Sequence, residues 1–429
     1  MNRMQQTSGA APNKTYLELT YVHETATGKG NNQQIIMQVN SNNPSIMDIT
    51  EGRIGIRVGR NRPRTFSLPI SEWDNFYLEK IKRGWLLTKT QKMEKKKISQ
   101  SGISFNGGMY RQTGNFSVDA IITKLLSYVT AVIENNYSAS IEDISDEMLD
   151  YGATILATLS KDYKNMSIAE FNNKLKTLYA AIPRRMDNLS RHLAKRKAEF
   201  AEIIDKEQEL YDIVKSRVRQ NAALTKTNIM LTVPEAFNLE WRPVTDKEEI
   251  EIKKLMGENA GQYRKAWKIT NRNTEKAFNE YCEKEKLSEK SGINHLFHGS
   301  RSENFWSIIT NGLTINPSGV ITNGKMFGLG TYFANKAKKS MGYTSKSGSY
   351  WVSGQEAVGY LGIFKVATGK HYDVYNAETD LTWTKLQSRC PGAHCTWAHA
   401  GQSLRNDEII VYQDRQSTIE YFVEFGENR

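Results

Sequence analysis

Three short stretches in the C-terminal half hold side chains that could do chemistry. In LFHGSR, His298 follows an apolar pair and precedes Gly299, which lacks a Cβ and lets another group approach its backbone closely. In MFGLGTYFANKAKKSMGYTS, Tyr332 and Tyr343 stand eleven residues apart, with Lys339 and Ser340 just before the second. In NDEIIVYQD, Glu408 opens an apolar strand and shares a face with Ile410 and Tyr412. Paired tyrosines are either packing or a clamp for a flat ligand, and their electron-rich faces suit a cationic ring. A carboxylate nearby can stabilise positive charge and orient or accept a proton. The GLG of the second stretch is no dinucleotide fingerprint, because the third glycine and the strand-to-helix setting are missing.

A further cluster, CPGAHCTWAH, offers Cys390, His394, Cys395 and His399 as metal-ligand types. Four ligands within ten residues leave little loop for a tetrahedral site, and no second half-site follows. An ordinary loop without metal is the expectation. Three cysteines in all cannot form a disulfide framework, which points to a reducing, intracellular compartment.

The elements that must position these groups change along the chain. A length of 429 residues implies roughly two to four domains. With 39% apolar and 24% charged residues the composition is that of a soluble globular protein. The opening MNRMQQTSGAAPNK has no apolar core of a secretory signal, and no run approaches a membrane span, so neither is expected. Residues 1–13 read as a polar tail and residues 14–110 as β-rich, with TYLELTYV and QQIIMQVN as strands. GRIGIRVGR places Ile54, Ile56 and Val58 on one face and Arg53 and Arg57 on the other, with Arg60, Arg62 and Arg64 extending the positive edge. SEWDNFYLEKIKRGW has helical spacing at Trp73, Phe76, Tyr77 and Ile81. Through Phe116 there are 17 lysines and arginines against 8 acids, which is most of the net +11. A basic module of that kind favours an anionic partner, most commonly nucleic acid.

Residues 115–232 are helical in character, a bundle rather than a coiled coil. Ser167 and Glu170 form a capping box ahead of Phe171, Leu175, Leu178 and Ile182, Pro183 ends that helix, and an amphipathic stretch runs from Leu189 to Val218. Residues 233–429 read as an α+β domain with a mainly antiparallel sheet. TNIMLTVPEAFNLEWRPV offers a strand and a turn, KEEIEIKKLMGENAGQYRKAWKI a helix, and HLFHG, GTYFA, GYLGIFKVATG and DEIIVYQ short strands.

In this order, LFHGSRSENFWSIITNGL, MFGLGTYFANKAKKSMGY and NDEIIVY resemble the H-Y-E signature of the poly(ADP-ribose) polymerase family of ADP-ribosyltransferases. KTYLELTYV with GRIGIRVG looks like a WGR module, and FNNKLKTLYAAIP is similar to that family's helical regulatory domain. The resemblance implies a DNA-dependent member with a small β-rich WGR-like domain, an all-α bundle and a transferase domain. It also implies that His298 bonds a ribose hydroxyl of NAD+, Gly299 and Ser340 bind the nicotinamide carboxamide, and Ser300 lies near the adenine ribose. Tyr343 and Tyr332 would sandwich the nicotinamide ring, Glu408 would bond its ribose and polarise the nucleophile, and Lys339 and Met326 would face the acceptor. Breaking the nicotinamide–ribose bond builds an oxocarbenium-like centre, which a carboxylate stabilises, and nicotinamide leaves as a neutral ring.

Two positions depart from the pattern: Glu51 stands where the WGR tryptophan would be, and Thr314 where an arginine often lies near the adenosine. The expected function is NAD+-dependent ADP-ribosyl transfer to protein acceptors, the chain itself among them, activated by DNA breaks held by Arg53, Arg57, Arg60 and Arg62. The alternatives are transfer to nucleic-acid ends and an inert DNA-binding scaffold. No membrane partner is expected, and the compartment is nuclear or cytoplasmic according to the host.

Overall fold

The computed structural model describes residues 11, 14–24, 30–53, 63–90, 103–105, 108–137, 144–186, 188–225, 231–315, 326–344, 358–402 and 404–426. In chain order its N-terminal elements are β1 (Tyr16–Glu24), β2 (Gly30–Val39), β3 (Ile46–Arg53), β4 (Arg64–Pro69), α1 (Trp73–Lys82), β5 (Leu86–Lys89), β6 (Ile103–Phe105) and β7 (Gly108–Tyr110). Four long helices follow: α2 (Phe116–Asn136), α3 (Asp146–Asp162), α4 (Ile168–Ala181) and α5 (Phe200–Thr225). The remainder alternates, with α6 (Val233–Ala236), β8 (Leu239–Pro243), α7 (Asp246–Met256), β9 (Tyr263–Asn271), α8 (Arg272–Glu285), β10 (Ile293–Gly299) and α9 (Phe305–Asn311). It ends with β11 (Thr331–Phe333), α10 (Ala337–Met341), β12 (Val358–Ala367), β13 (His371–Val374), α11 (Trp383–Arg389), β14 (Cys395–Ala398), β15 (Glu408–Val411) and β16 (Ser417–Gly426).

Two compact units form, Met1–Ser99 with Ile133–Val218 and Gln100–Val132 with Arg219–Arg429. In the first, five antiparallel strands run in the order β4-β3-β2-β1-β5. Period-two alternation buries Leu17, Leu19, Ile35, Met37, Met47 and Ile49 against Trp73 and Tyr77 of α1. Thr20 of β1 donates its hydroxyl to the Ala180 carbonyl at 2.6 Å, which ties α4 to the sheet. The capping box at Ser167 and Glu170 is present as the sequence indicates, and α4 ends at Ala181. Phe171 stacks on Phe200 with centroids 3.8 Å apart and planes 4° from parallel. Among these helices the buried Arg184 pairs with Glu207 at 2.8 Å, beneath the faces of Tyr137 and Tyr179. Burial opposes both charges, and the pairing offsets that cost.

Some sequence expectations hold, some fall outside the described residues and some need correction. Most of the GRIGIRVGR strand lies outside the described residues; Gly52 and Arg53 close β3. Within the amphipathic stretch that opens at Leu189, the long helix α5 begins at Phe200, after two single 3-10 turns. Within TNIMLTVPEAFNLEWRPV, VPEA is a helical turn capped by Thr232 and LEWRP is strand β8, a turn and a strand as the sequence indicates. KEEIEIKKLMGENAGQYRKAWKI is not one helix: α7 stops at Gly257, whose φ of 56° leaves the helical region, and the second half becomes β9. Helix α2 is long and apolar enough by composition to cross a bilayer, although no such run was expected. Its Val118, Ile121, Ile122, Leu125, Leu126 and Val129 are buried, as in a core helix.

The second unit holds a five-stranded antiparallel sheet, β10-β12-β16-β9-β8, and a four-stranded sheet, β11-β15-β14-β13, whose β13–β14 pair is parallel. Short strands β6 and β7 pair as a separate hairpin. The first turns of α2 belong to this unit: Trp267 donates its indole N–H to Ser117 Oγ at 3.0 Å, and Lys124 lies over the Tyr360 ring. The two sheets meet where Phe297 of β10 and Ala334, just past β11, exchange backbone hydrogen bonds of 2.8 and 2.9 Å.

Truncating the buried, stacked ring in Phe171→Ala should cost about 3–5 kcal/mol. Urea unfolding followed by circular dichroism checks it, and a midpoint equal to wild type would contradict the packing described.

Candidate active site

The junction of the two sheets gathers the chemistry-bearing residues. His298 ends β10, Tyr332 is central in β11, and Glu408 opens β15, which pairs with β11 through Tyr332↔Ile410. Helix α10 supplies Lys339 and Ser340, with Tyr343 just beyond its end.

Glu408 is 6% exposed, and its Oε1 accepts from Lys339 Nζ at 2.8 Å and from Tyr343 OH at 3.3 Å. Oε2 has no hydrogen-bond partner among the described residues. Burial works against the Lys339 ammonium, but the hydrogen bond and charge of Glu408, with Tyr343, hold its pKa above the usual lysine value. Burial and the charge of Glu408 push the Tyr343 phenol up, so it stays a donor at neutral pH.

His298 and Tyr332 are fixed by backbone groups. A carbonyl can only accept, so the 2.9 Å contact between His298 Nδ1 and Tyr332 O places the proton on Nδ1. Nε2 is left with its lone pair. Burial is the main cause lowering the His298 pKa, which keeps the ring neutral at pH 7. Tyr332 OH accepts from the Phe327 amide at 3.0 Å and donates to the Gly328 carbonyl at 2.9 Å. Burial again raises this phenol's pKa, with Glu408 and Tyr343 adding to the effect. The Phe327–Gly328 lock was not foreseen from sequence. GLG was the available signal: Gly328 has φ of 74°, and a Cβ there would lie 2.0 Å from the Leu381 carbonyl oxygen.

Ser340 is buried and donates to the Phe297 carbonyl at 3.0 Å, leaving its lone pairs as acceptors. Its own carbonyl oxygen would sit 1.9 Å from a Cβ at Gly299, so only glycine lets β10 and α10 approach this closely. Ser300 Oγ accepts from Asn304 at 3.1 Å. Met326 packs beside Tyr332 against the core of the four-stranded sheet. The site thus brings together His298, Gly299, Tyr332, Lys339, Ser340, Tyr343 and Glu408.

The remaining sequence candidates lie elsewhere. Arg53 ends β3 in the first unit, and Arg57, Arg60 and Arg62 fall outside the described residues. Glu51 is engaged by Lys80 at 3.2 Å. Cys395 is buried and donates to the Thr368 carbonyl, His394 accepts from the Lys370 amide, and His399 meets Asp373. Among the described residues no three His, Cys, Asp or Glu side chains are grouped to hold a metal ion.

Comparison with known proteins bears on this site. Residues 247–400 match the poly(ADP-ribose) polymerase catalytic domain, a span that includes His298 and Tyr332 and stops short of Glu408. A poly [ADP-ribose] polymerase-like protein, 100L of Invertebrate iridescent virus 6, is 33% identical over 153 residues, which is 35% of this chain and 78% of that protein. The poly [ADP-ribose] polymerase of Drosophila melanogaster is 33% identical over 143 residues, 29% of this chain and 14% of the fly protein. Poly [ADP-ribose] polymerase 1 of Gallus gallus is 38% identical over 82 residues, 19% of this chain and 8% of that protein.

Gly299→Ala should force β10 and α10 apart and destabilise this unit by about 1–3 kcal/mol or more. A lowered melting temperature is the expected reading; an unchanged one would contradict the close approach.

Proposed function

The chain belongs to the poly(ADP-ribose) polymerase family and is an NAD+-dependent ADP-ribosyltransferase, and we propose that Glu408, His298 and Tyr332 carry its reaction. Gly299, Ser300, Ser340 and Tyr343 complete the contacts to NAD+. The observation that carries this assignment is the setting of Glu408. A nearly buried carboxylate has one oxygen held by Lys339 and Tyr343 and the other without a partner among the described residues, at the strand junction that also carries His298.

These residues suit NAD+ as substrate group by group. Neutral His298 accepts from a ribose hydroxyl through Nε2. The Gly299 backbone and the Ser340 lone pairs answer the donors and acceptor of a carboxamide. The phenols of Tyr332 and Tyr343 remain uncharged beside a cationic pyridinium. The bond between ribose C1′ and the nicotinamide nitrogen breaks with its electron pair going to nitrogen, so nicotinamide departs neutral. The positive charge left on the sugar lies in the field of Glu408. A hydroxyl acceptor attacks C1′ and passes its proton to Glu408 Oε2, while Lys339 balances the carboxylate and fixes its rotamer.

We further propose that protein side chains are the acceptors and that DNA breaks activate the enzyme. Residues 14–110 would act as a WGR-like sensor and residues 115–232 as a helical regulatory segment. The positive excess before Phe116 supports a DNA partner, and Glu51, at the place of the WGR tryptophan, is paired with Lys80.

Incubation with labelled NAD+, with and without nicked DNA, should release nicotinamide faster when DNA is present and leave label on protein. Glu408→Gln should lower turnover by about 10²-fold or more. No turnover by wild type under either condition would overturn the reading, and label on DNA would reassign the acceptor. The pH profile adds a check on His298. Burial lowers its pKa below the ordinary 6.5, so kcat/KM should hold through pH 6.5 and fall only below it, as Nε2 gains a proton. An acid limb centred above pH 6.5 would remove His298 from its assigned role.

A further inference from the structure

Asp407 precedes Glu408 and points to the opposite face of the strand. Its carboxylate collects three donors from two separate segments. Oδ2 accepts from Trp397 Nε1 of β14 at 3.1 Å and from Asn335 Nδ2 at 3.4 Å, and Oδ1 accepts from the Ala400 amide at 2.8 Å. Burial opposes the charge, but Ala400, Trp397, His399 and Asn335 together outweigh it and hold the carboxyl below the ordinary aspartate pKa.

Each donor leads back to the site. Asn335 follows Ala334, whose backbone is bonded to Phe297 next to His298, and it precedes the helix that carries Lys339 and Ser340. Trp397 pairs with Ile409, and its neighbour Ala398 pairs with Glu408 itself. We infer that Asp407 is a positioning residue, which joins the β11–α10 connection to the start of β15 so that Glu408 meets Lys339 in a fixed geometry. This inference rests on the assignment of Glu408 as the reacting carboxylate. Glu408 stands first in its strand, so the backbone before it has no ladder to hold it, and the three bonds to Asp407 take that part. A misplacement of about 1 Å at a reacting group can cost on the order of 10²-fold in rate.

The test is steady-state nicotinamide release by the full chain carrying Asp407→Ala, Asp407→Asn or Trp397→Phe, each checked for folding by circular dichroism. Asp407→Ala should lower kcat by about 10–100-fold while KM for NAD+ stays within about threefold, because the proposed NAD+ contacts are left in place. Asp407→Asn keeps an acceptor for Ala400, and Trp397→Phe keeps the ring while losing one donor; each should show a smaller loss of kcat, about 3–10-fold. Wild-type kcat in folded Asp407→Ala, or a rise in KM alone, would overturn the inference and leave Asp407 as a strand-end anchor. If Asp407→Ala does not fold, Trp397→Phe decides by the same split. Glu408→Gln, assayed alongside, separates the two claims: its full activity would sink the reading of Glu408, whereas an inactive Glu408→Gln beside a fully active Asp407→Ala would sink only the positioning.

Discussion

A carboxylate shut away from water must be compensated, and the second unit is arranged around that requirement. Glu408 meets the Lys339 ammonium and the Tyr343 hydroxyl on one oxygen, so its partners come from a helix remote in sequence and the residues just after it. That helix is held by the approach of Ser340 to Gly299 and by the bond from Ser340 to Phe297. The β10–β11 exchange at Phe297 and Ala334 then brings His298 to the same place. Removing Lys339 leaves the Glu408 charge buried without its ion partner, which costs far more than the pair itself returns.

The family model ends at residue 400, before Glu408, yet the geometry is continuous across that limit. β15 lies between β11 and β14, hydrogen-bonded to both. The strand that carries the acid is therefore an interior member of the sheet, fixed on both edges. An acid on an edge strand would sway with one neighbour only.

Much of the candidate site was legible in the sequence because its polar side chains sit at the ends of apolar runs. His298 after LF and Glu408 before IIV mark strand ends whatever the tertiary packing, and the Ser167–Glu170 box fixes a helix start by local bonds alone. The failures have equally physical causes. The second half of KEEIEIKKLMGENAGQYRKAWKI contains good helix formers, but it becomes β9 because β16, some 150 residues downstream, offers it a ladder. Asp407 gave no signal, since its partners Trp397, Ala400 and Asn335 come from segments that only folding brings together. The arginine edge around Arg53 was visible as charge, and charge patterning carries no information on how far a strand runs.

The proton fixed on His298 Nδ1 gives the ring a definite sense of what it can read. With that nitrogen committed to the Tyr332 carbonyl, Nε2 can only receive, so in the proposed reading it would ask the sugar of NAD+ for a hydroxyl. A deoxy sugar would meet a lone pair with nothing to give it, and burial would make that vacancy expensive. In that reading, one backbone carbonyl would turn a histidine into a discriminator between ribose and deoxyribose.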